Sequence, residues 1–538
     1  MAFNKRLLIL IPLILSAFTH LWNAALFPSF HIDEGVYIRR ALYTLSGLGI
    51  HDTDSRFDHP QDSTSSYDHP FFGQIILATM FKIINFPHIV NNGAESVSMD
   101  TLFAVPRLIM GAISVLDTFL VYKIAERRFN PTVALFSSLL FAVMPSTWFT
   151  RRVVLDSLML PLILTSVLLA LQIRSNPRYI NMLSLLSGIF LGLGIFTKIP
   201  SFTMIPLMIY LIFQGTNRNT IQSKKELKKI GLFILPVIMI PLIWPAYAFL
   251  SGDANQWLDG VLWQATQRQS EDKALLDVII SFFKTDPVLL ILGTIGIVYL
   301  TFRRELIGVI WMIPYFAFLY LVGWVNHFHL ILVLPIWSIS LGKLIYDLPL
   351  ITRIKKKESI VSSGIIIAIG MFGVISTIML ISTDLTYIQL KTASFIATEV
   401  ISDNGGVRET KYSTSLERVS NDSKDSKEQL TVITGPIYSW VYKYVFDHEN
   451  TFSHIRDTQP VKTENVLLLV DSTYKRLVLR SEAENQTQVA RLNGIYNDTE
   501  VSALFGKLPA SYSKKNYPFT GIDSADSGLT QSEIRKNY

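Results

Sequence analysis

Long runs of apolar residues, separated by short polar loops, fill the first 382 residues of the chain. A helix that crosses a bilayer needs about 20 mostly apolar residues. Eleven runs approach that length, at 7–27, 102–123, 131–149, 155–173, 180–197, 200–214, 230–250, 287–302, 306–323, 328–346 and 360–382. The pattern predicts an α-helical, polytopic membrane domain of about eleven spans over residues 1–382.

The basic residues between these runs predict a topology, because cytoplasmic loops carry an excess of lysine and arginine. If the N-terminus is cytoplasmic, four basic clusters fall inside, at 5–6, 127–128, 224–229 and 353–357. The same alternation predicts that four segments lie outside: 28–101, 150–154, 251–286 and everything after about 383.

One further apolar run, 70–86, does not fit this alternation. Counting it as a span would invert every later loop and place the basic cluster 224–229 outside. We therefore predict a juxtamembrane helix that lies in the outer interface or re-enters the membrane. The first run, 7–27, begins like a signal peptide, but it exceeds the usual apolar length of about 7–15 residues, which favours an uncleaved anchor.

Residues 383–538 have a different pattern, typical of a soluble α/β domain on the outer side. Short strand-like runs at 430–434 and 466–470 are followed by polar or helix-like sequence, and Ser/Asp/Lys-rich stretches at 413–428 and 510–538 predict disorder. Three N-x-S/T sequons agree weakly with an outside location: Asn421, Asn485 and Asn497.

Composition supports a membrane protein and excludes several functions. Of 538 residues, 50% are hydrophobic and 17% are charged, whereas soluble proteins carry about a quarter charged residues. The net charge of +6 comes from short clusters between apolar runs, so we predict no nucleic-acid partner. The chain has no cysteine, which excludes disulfides, thiolate catalysis and cysteine-based zinc sites.

Candidate chemistry begins in the first outer loop, 28–101, where Asp33 and Glu34 are adjacent just past the first span. Such a pair can act as a general base, bind a divalent cation, or lie in a solvated loop without a function. The same loop continues to an Asp68-His69-Pro70 sequence. Ionisable residues at the mouth of a helical bundle usually have a task or a partner.

Three more charged residues belong to the outer ends of later spans. Asp156 begins an apolar helix, where it can cap the N-terminus. Arg152 lies on the outer side with Arg151, against the positive-inside tendency, so Asp156, a lipid headgroup or a substrate phosphate should hold these arginines. Lys198 separates two apolar runs, where it can snorkel to lipid phosphates or bind a substrate phosphate.

His327 and His329 precede the tenth span, also on the outer side. They can form half of a metal site or be two interfacial histidines. The topology thus brings carboxylates and cations to one membrane face. That combination suits a lipid-linked substrate that carries a phosphate.

Four motifs in this order resemble a known class of enzymes: DE at 33–34, DHP at 68–70, R-x-x-x-D at 152–156 and F-T-K-x-P at 196–200. Together they resemble the GT-C membrane glycosyltransferases, and within them family 39, the protein O-mannosyltransferases and aminoarabinose transferases. The likeness covers about residues 1–350. Each motif is short, so the specificity lies in their order.

The resemblance implies transfer of a sugar, with inversion, from a polyprenyl- or dolichyl-phosphate donor to an acceptor hydroxyl on the outer face of a plasma membrane or endoplasmic reticulum. It implies that Asp33 is the general base and that Glu34 orients it or binds metal. Asp156 would orient the acceptor or the base. The acceptor can be a protein, a lipid or a glycan.

The resemblance also implies which residues bind the donor phosphate. Lys198 and Arg152 are expected to do so, and His69 matches a site that is histidine in mannosyltransferases and lysine in aminoarabinose transferases. The resemblance makes no cofactor certain. A divalent metal stays open, with Glu34, His327 and His329 as candidate ligands.

The sequence also departs from both branches of the family. Val36 stands where aminoarabinose transferases have arginine, and the outer loop 251–286 is too short for the lumenal module of protein mannosyltransferases. An oligosaccharyltransferase is an alternative, but Trp440 stands alone where those enzymes have a WWD motif. A transporter or lipid flippase, or a membrane scaffold, is the alternative from other classes.

Overall fold

A computed structural model describes residues 8–50, 67–90, 99–214, 223–266, 275–323, 325–351, 358–395, 397, 431–446, 448, 451–452, 466–471 and 532–534. The α-helices of these residues are α1 (Leu10–Leu21), α2 (Ile32–Leu45), α3 (Phe72–Ile83), α4 (Met99–Arg128), α5 (Pro131–Val143), α6 (Leu155–Ser175), α7 (Ile180–Thr197), α8 (Ile205–Gln214), α9 (Ser223–Met239), α10 (Ile243–Leu250), α11 (Ala254–Thr266), α12 (Leu275–Thr285), α13 (Pro287–Phe302), α14 (Ile307–Val322), α15 (Leu334–Ile351), α16 (Glu358–Ile381), α17 (Tyr387–Phe395) and α18 (Pro436–Tyr444). Short 3₁₀ helices connect several of them, at His88–Val90, Pro145–Arg151, Pro177–Tyr179, Ile199–Met204 and His327–Val333.

The apolar helices make the chain an integral membrane protein. Within the described residues, seven helical segments are long and apolar enough to cross a bilayer: Phe72–Val90, Met99–Arg128, Leu155–Ser175, Ile180–Thr197, Leu227–Leu250, His327–Pro349 and Ile360–Ile381. The pair Pro131–Val143 and Pro145–Arg151, bent by 71°, makes an eighth if it is one span. Four shorter apolar helices complete the set: Leu10–Leu21, Ile199–Gln214, Pro287–Phe302 and Ile307–Val322.

Each of the eleven apolar runs overlaps one of these helices, but the count of about eleven spans stays a prediction because four of the helices are short. The run 70–86 forms α3, and the segment Phe72–Val90 passes the length and hydropathy test for a span. The prediction that this run lies in the outer interface or re-enters the membrane stays a prediction. Length and hydropathy alone do not separate an interfacial helix from a crossing one, because both need an apolar face.

The chain divides into two compact units. The first unit contains Met1–Ala24, Tyr67–Met80 and Ala104–Thr383. In it, α7 packs against both α6 and α9. Gly188 and Gly192 allow the approach to α9, because a Cβ atom at these positions would lie 2.2 Å from the carbonyl oxygen of Phe233 and 2.6 Å from that of Pro236. Small residues four positions apart, such as Gly188 and Gly192, are typical of closely packed membrane helices.

The second unit contains Ala25–Ser66, Phe81–Phe103 and Asp384–Tyr538. In its described residues a sheet has the order β2 (Thr451–Phe452), β1 (Thr431–Thr434), β3 (Val466–Asp471) and β4 (Ser532–Ile534). β1 is parallel to β2 and β3, and β3 is antiparallel to β4. β1 and β3 coincide with the two strand-like runs, and α18 follows β1. The stretch 413–428, most of 510–538 and the three sequons lie outside the described residues.

Candidate active site

A buried ion pair joins two of the residues that the sequence singles out. Lys198 Nζ lies 2.5 Å from Asp156 Oδ2, and their side chains are 5% and 2% exposed. The hairpin of α6 and α7 explains the contact: Asp156 is in the first turn of α6, and Lys198 directly follows α7. Midway along the hairpin, Ser166 and Ser187 exchange hydrogen bonds with each other's carbonyl oxygens. This register fixes the distance between the two helix ends.

The two helix ends also suit these charges electrostatically. A helix N-terminus carries a partial positive charge and a C-terminus a partial negative charge. Asp156 lies at the first kind of end and Lys198 at the second. The N-cap of α6 is Val154, which makes no side-chain capping bond. Asp156, in the first turn of α6, therefore lies at the positive end of this helix and also pairs with Lys198.

One aromatic ring contacts the pair, and an aromatic group lies at the end of the same helix, α7. The Lys198 ammonium lies 5.0 Å from the ring centroid of Phe328, a cation–π distance. Phe196 contacts Phe71 and stacks on Phe72, with centroids 4.9 Å and 5.5 Å apart. The pair is almost fully buried, and low exposure to water strengthens the electrostatic interaction between its charges.

The start of α3 packs on the same two helix ends. A Cβ atom at Gly73 would lie 2.6 Å from a Leu155 side-chain carbon and 3.0 Å from one of Thr197. His69 belongs to the segment just before α3, and its backbone N–H donates to Asp68 Oδ1 at 2.9 Å. The DHP, R-x-x-x-D and F-T-K-x-P motifs therefore converge in the first unit.

Arg151 and Arg152 both make contacts within the first unit of the described structure. The guanidinium of Arg152 lies 5.2 Å from the Trp148 ring centroid. Arg151 donates to the backbone carbonyl oxygens of Thr19 and Trp22, where α1 ends. These carbonyls form the negative end of α1, so the contact is favourable for a cation. Arg152 therefore stays the arginine of interest, while Arg151 ties its segment to α1.

Asp286 is a buried residue that the motif search did not single out. Its Oδ2 accepts from the backbone N–H and the hydroxyl of Ser146, at 3.2 and 2.8 Å, and its Oδ1 accepts from the Leu289 N–H at 2.9 Å. Burial raises the pKa of the Asp286 carboxyl, while these hydrogen bonds act in the opposite direction. An aspartate directly before a helix-initial proline signals an N-cap. Its second role, anchoring the Pro145–Arg151 segment, has no local signal.

Tyr67, the residue that begins the YDHP sequence, is held by an acidic residue. The Tyr67 hydroxyl donates to Asp253 Oδ2 at 3.0 Å. Burial, followed by the hydrogen bond to this carboxylate, raises the pKa of Tyr67 well above its usual value. Gly260 of α11 lies against the Tyr67 backbone, where a Cβ atom would be 2.6 Å from its carbonyl oxygen. The segment 253–260 therefore supports the DHP motif through Tyr67.

Asp33 and Glu34 lie in the second unit, in the first turn of α2. His31 Nδ1 accepts from the Asp33 backbone N–H at 3.2 Å, and Glu34 Oε2 accepts from the His31 backbone N–H at 3.1 Å. This reciprocal arrangement is a capping box. Glu34 is buried, whereas the Asp33 side chain is 29% exposed. The two neighbouring acids thus differ. Glu34 stabilises the start of α2, whereas the carboxylate of Asp33 is partly exposed.

The candidate metal-ligand histidines make bonds to protein groups. His327 Nε2 lies 2.6 Å from the Ser281 hydroxyl, and its ring stacks on Phe149. His329 Nδ1 accepts from the Asn326 backbone N–H at 3.0 Å. Among the residues that the structure describes, no group of three or more histidines, aspartates and glutamates is arranged to hold a metal ion.

A family model matches part of this region. Residues 68–244 match the family described as dolichyl-phosphate-mannose-protein mannosyltransferase. The matched segment contains His69, Arg152, Asp156 and Lys198. A search of curated proteins gives no match.

Three solved structures give the scale of the structural likeness. The chain is similar to the apo oligosaccharyltransferase of Archaeoglobus fulgidus (13% identity, TM-score 0.50, 85% of this chain and 65% of that one). It is equally similar to the same enzyme, AglB, with an inhibitory peptide and a dolichol-phosphate (12% identity, TM-score 0.50, 84% and 64%). ArnT from Cupriavidus metallidurans bound to undecaprenyl phosphate also matches (14% identity, TM-score 0.47, 74% and 73%).

The chain therefore has the fold of the archaeal oligosaccharyltransferase, of whose length it covers less than two thirds. At these identities the likeness establishes the fold alone. Together with the family match, it confirms the resemblance to GT-C membrane glycosyltransferases that the ordered motifs indicate.

Proposed function

We propose that the chain is a membrane glycosyltransferase that moves a sugar, with inversion, from a polyprenyl- or dolichyl-phosphate donor to an acceptor hydroxyl. The observation that carries this proposal is the buried Lys198–Asp156 pair, which lies inside the segment matching the mannosyltransferase family. A desolvated lysine beside an aromatic ring suits an anionic phosphate beside an apolar lipid chain. The fold shared with an enzyme that binds dolichol-phosphate supports the same substrate class.

In the proposed reaction, Asp33 accepts the proton of the acceptor hydroxyl while that oxygen bonds to the anomeric carbon of the sugar. The bond between this carbon and the phosphate oxygen breaks, and its electron pair leaves with the polyprenyl phosphate. Because the leaving phosphate is a stabilised anion, the step needs no general acid. A single displacement inverts the anomeric centre without a covalent nucleophile, as in inverting glycosidases.

Lys198, Arg152 and His69 are the proposed phosphate-binding residues. Since Lys198 already pairs with Asp156, an incoming phosphate shares the ammonium group with this carboxylate. Asp156 thus orients Lys198 toward the donor. Glu34 orients the start of α2 in this scheme, and a divalent metal at Glu34 is an open alternative that chelation by EDTA tests.

The test compares membranes that contain the wild type, Asp33→Asn or Asp100→Asn, each supplied with radiolabelled polyprenyl-phosphate sugars and native acceptors. Asp100 is the matched control because it is an exposed aspartate in the first turn of another helix, α4. Transfer should disappear in Asp33→Asn and persist in Asp100→Asn, and the labelled fraction identifies the acceptor as protein, lipid or glycan. If no donor is consumed by the wild type, a transporter or scaffold replaces this proposal.

The proposal places the reaction on the outer side of a plasma membrane or endoplasmic reticulum, following the positive-inside assignment. Because the chain has no cysteine, single cysteines report topology without background. Ser251→Cys, before the outer helix α11, should react with an impermeant maleimide in intact cells. Arg303→Cys, between α13 and α14, should react only after permeabilisation. Both positions are exposed, and the reverse labelling pattern would invert the topology.

A further inference from the structure

The helix that carries Asp33 and Glu34 packs against a helix of the C-terminal region. Both α2 and α18 belong to the second unit, and they lie in contact. Every residue of α2 from Glu34 to Leu42 is buried. On α18, the side chains of Tyr438, Trp440 and Val441 are buried as well. The acid-bearing helix is therefore enclosed beyond its first turn.

An aromatic cluster of Phe30, Phe86, Phe103, Tyr438 and Trp440 joins α18 to the segment that leads into α2. The Trp440 ring lies 5.1 Å from Phe103 and 6.1 Å from Phe86, between centroids. Phe30 in turn lies 4.5 Å from Phe103 and 6.3 Å from Tyr438. Such aromatic pairs contribute stabilisation beyond the burial of their area. Because Phe30 directly precedes the N-cap His31, this aromatic cluster fixes the chain where α2 begins.

Two hydrogen bonds connect the same segment to the chain after the last span. The Leu385 N–H donates to the carbonyl oxygen of Leu26 at 2.9 Å, and the Thr386 hydroxyl donates to that of Ala25 at 2.8 Å. The segment before α2 is thus held by residues 385–386 as well as by α18.

We infer that α18 is the support that sets the orientation of α2, and that Trp440 is a positioning residue for the carboxylate of Asp33. A helix of 14 residues is marginal by itself in water, so packing must supply both its stability and its direction. The inference rests on the proposed function, in which Asp33 is the general base. It gives the C-terminal region a task in the reaction that does not depend on binding an acceptor.

A purely structural role for Trp440 in the core of the C-terminal region makes a different prediction. In that case its removal would destabilise α18 and the sheet, while α2 and the turnover number would not change. The two roles are separated by hydrogen exchange at α2, read by mass spectrometry, beside the kinetics of transfer. Hydrogen exchange measures local opening and needs no activity.

The experiment uses the full-length protein in detergent or nanodiscs with Trp440→Ala, Trp440→Phe and Trp244→Ala. Trp244 is the matched control, a buried tryptophan of α10 in the first unit. In Trp440→Ala, the rate of hydrogen exchange at α2 should rise about tenfold or more. A loss of about 1.4 kcal/mol in the local stability of α2 is enough to raise this rate tenfold. Exchange in α6 and α7 should not change, and Trp440→Phe should restore most of the protection.

The kinetics should show a fall in kcat of about a hundredfold for Trp440→Ala, the usual cost of misplacing a reacting group by about 1 Å, with little change in KM for the donor. Unchanged exchange at α2, or an equal rise in every helix, would overturn the inference. If α2 responds but the wild type transfers no sugar, the support role stands and the proposed function fails. If transfer needs Asp33 but Trp440→Ala keeps the wild-type kcat, the function stands and the positioning role fails.

Discussion

Lys198 and Asp156, 42 residues apart in the chain, form a buried ion pair with 2.5 Å between Nζ and Oδ2. Two charges taken out of water repay their desolvation only if their geometry is good, so the pair is weak evidence for stability in itself. Its position at the paired ends of α6 and α7, beside the DHP segment, fits a functional site better than a simple packing device.

A double-mutant cycle on this pair separates structure from chemistry. Lys198→Met removes the ammonium group from the buried Asp156 carboxylate, and breaking a buried ion pair in this way should lower the free energy of unfolding by about 3–5 kcal/mol. The double variant Lys198→Met/Asp156→Leu should lose less free energy of unfolding than Lys198→Met and Asp156→Leu lose together as single variants. Thermal unfolding in detergent gives the stabilities, and the donor-transfer assay gives the activities. A stable but inactive double variant supports the site, whereas recovered transfer would assign the pair a structural role only.

Much of the fold could be predicted from the sequence, because an apolar run of sufficient length has few alternatives to a helix in a bilayer. The chemistry of the site was harder to predict. The sequence predicts Asp156 and Lys198 at the same membrane face, and the structure brings the two side chains into contact, but the sequence indicates a separate partner for each. Their contact depends on the register of the α6–α7 hairpin, which Ser166 and Ser187 fix and no local pattern reveals. The anchoring of Ser146 by Asp286 is non-local in the same way.

Gly188 should be the most sensitive small residue between α7 and α9. In Gly188→Ala the new Cβ atom meets the Phe233 carbonyl oxygen at 2.2 Å, so the helices must separate, at a cost of about 1–3 kcal/mol. Gly231→Ala in α9 is the matched control because nothing lies within 4 Å of its Cβ position. In Gly231→Ala, the higher helix propensity of alanine should raise the free energy of unfolding by about 0.5–1 kcal/mol. Equal melting temperatures for the two variants would refute the close contact.

Ser146→Ala should weaken the attachment of the Pro145–Arg151 segment. The change removes the hydroxyl that donates to Asp286 at 2.8 Å, and a hydrogen bond to a charged group contributes about 1.5–3 kcal/mol. Ser382→Ala, at an exposed position just after α16, should shift stability by less than about 0.5 kcal/mol. Thermal unfolding measures both. If Ser146→Ala and Ser382→Ala have the same melting temperature, Asp286 does not anchor the Pro145–Arg151 segment.

Tyr67→Phe should change how stability depends on pH. At neutral pH the variant loses the hydrogen bond to the Asp253 carboxylate, at a cost of about 1.5–3 kcal/mol. Because burial and this bond raise the pKa of Tyr67 in the folded state, its contribution is fully present below the unfolded pKa of about 10 and is lost as the pH rises further. The difference in the free energy of unfolding between wild type and Tyr67→Phe should therefore become smaller above pH about 10.

Unfolding midpoints measured from pH 7 to about 11 test this, with Tyr179→Phe as the control because Tyr179 is half-exposed. The control should match the wild type over the whole range. If the difference in unfolding midpoint between wild type and Tyr67→Phe stays constant through the alkaline range, the pKa of Tyr67 is not raised by folding. The segment 253–260 would then support the DHP motif through packing at Gly260 alone.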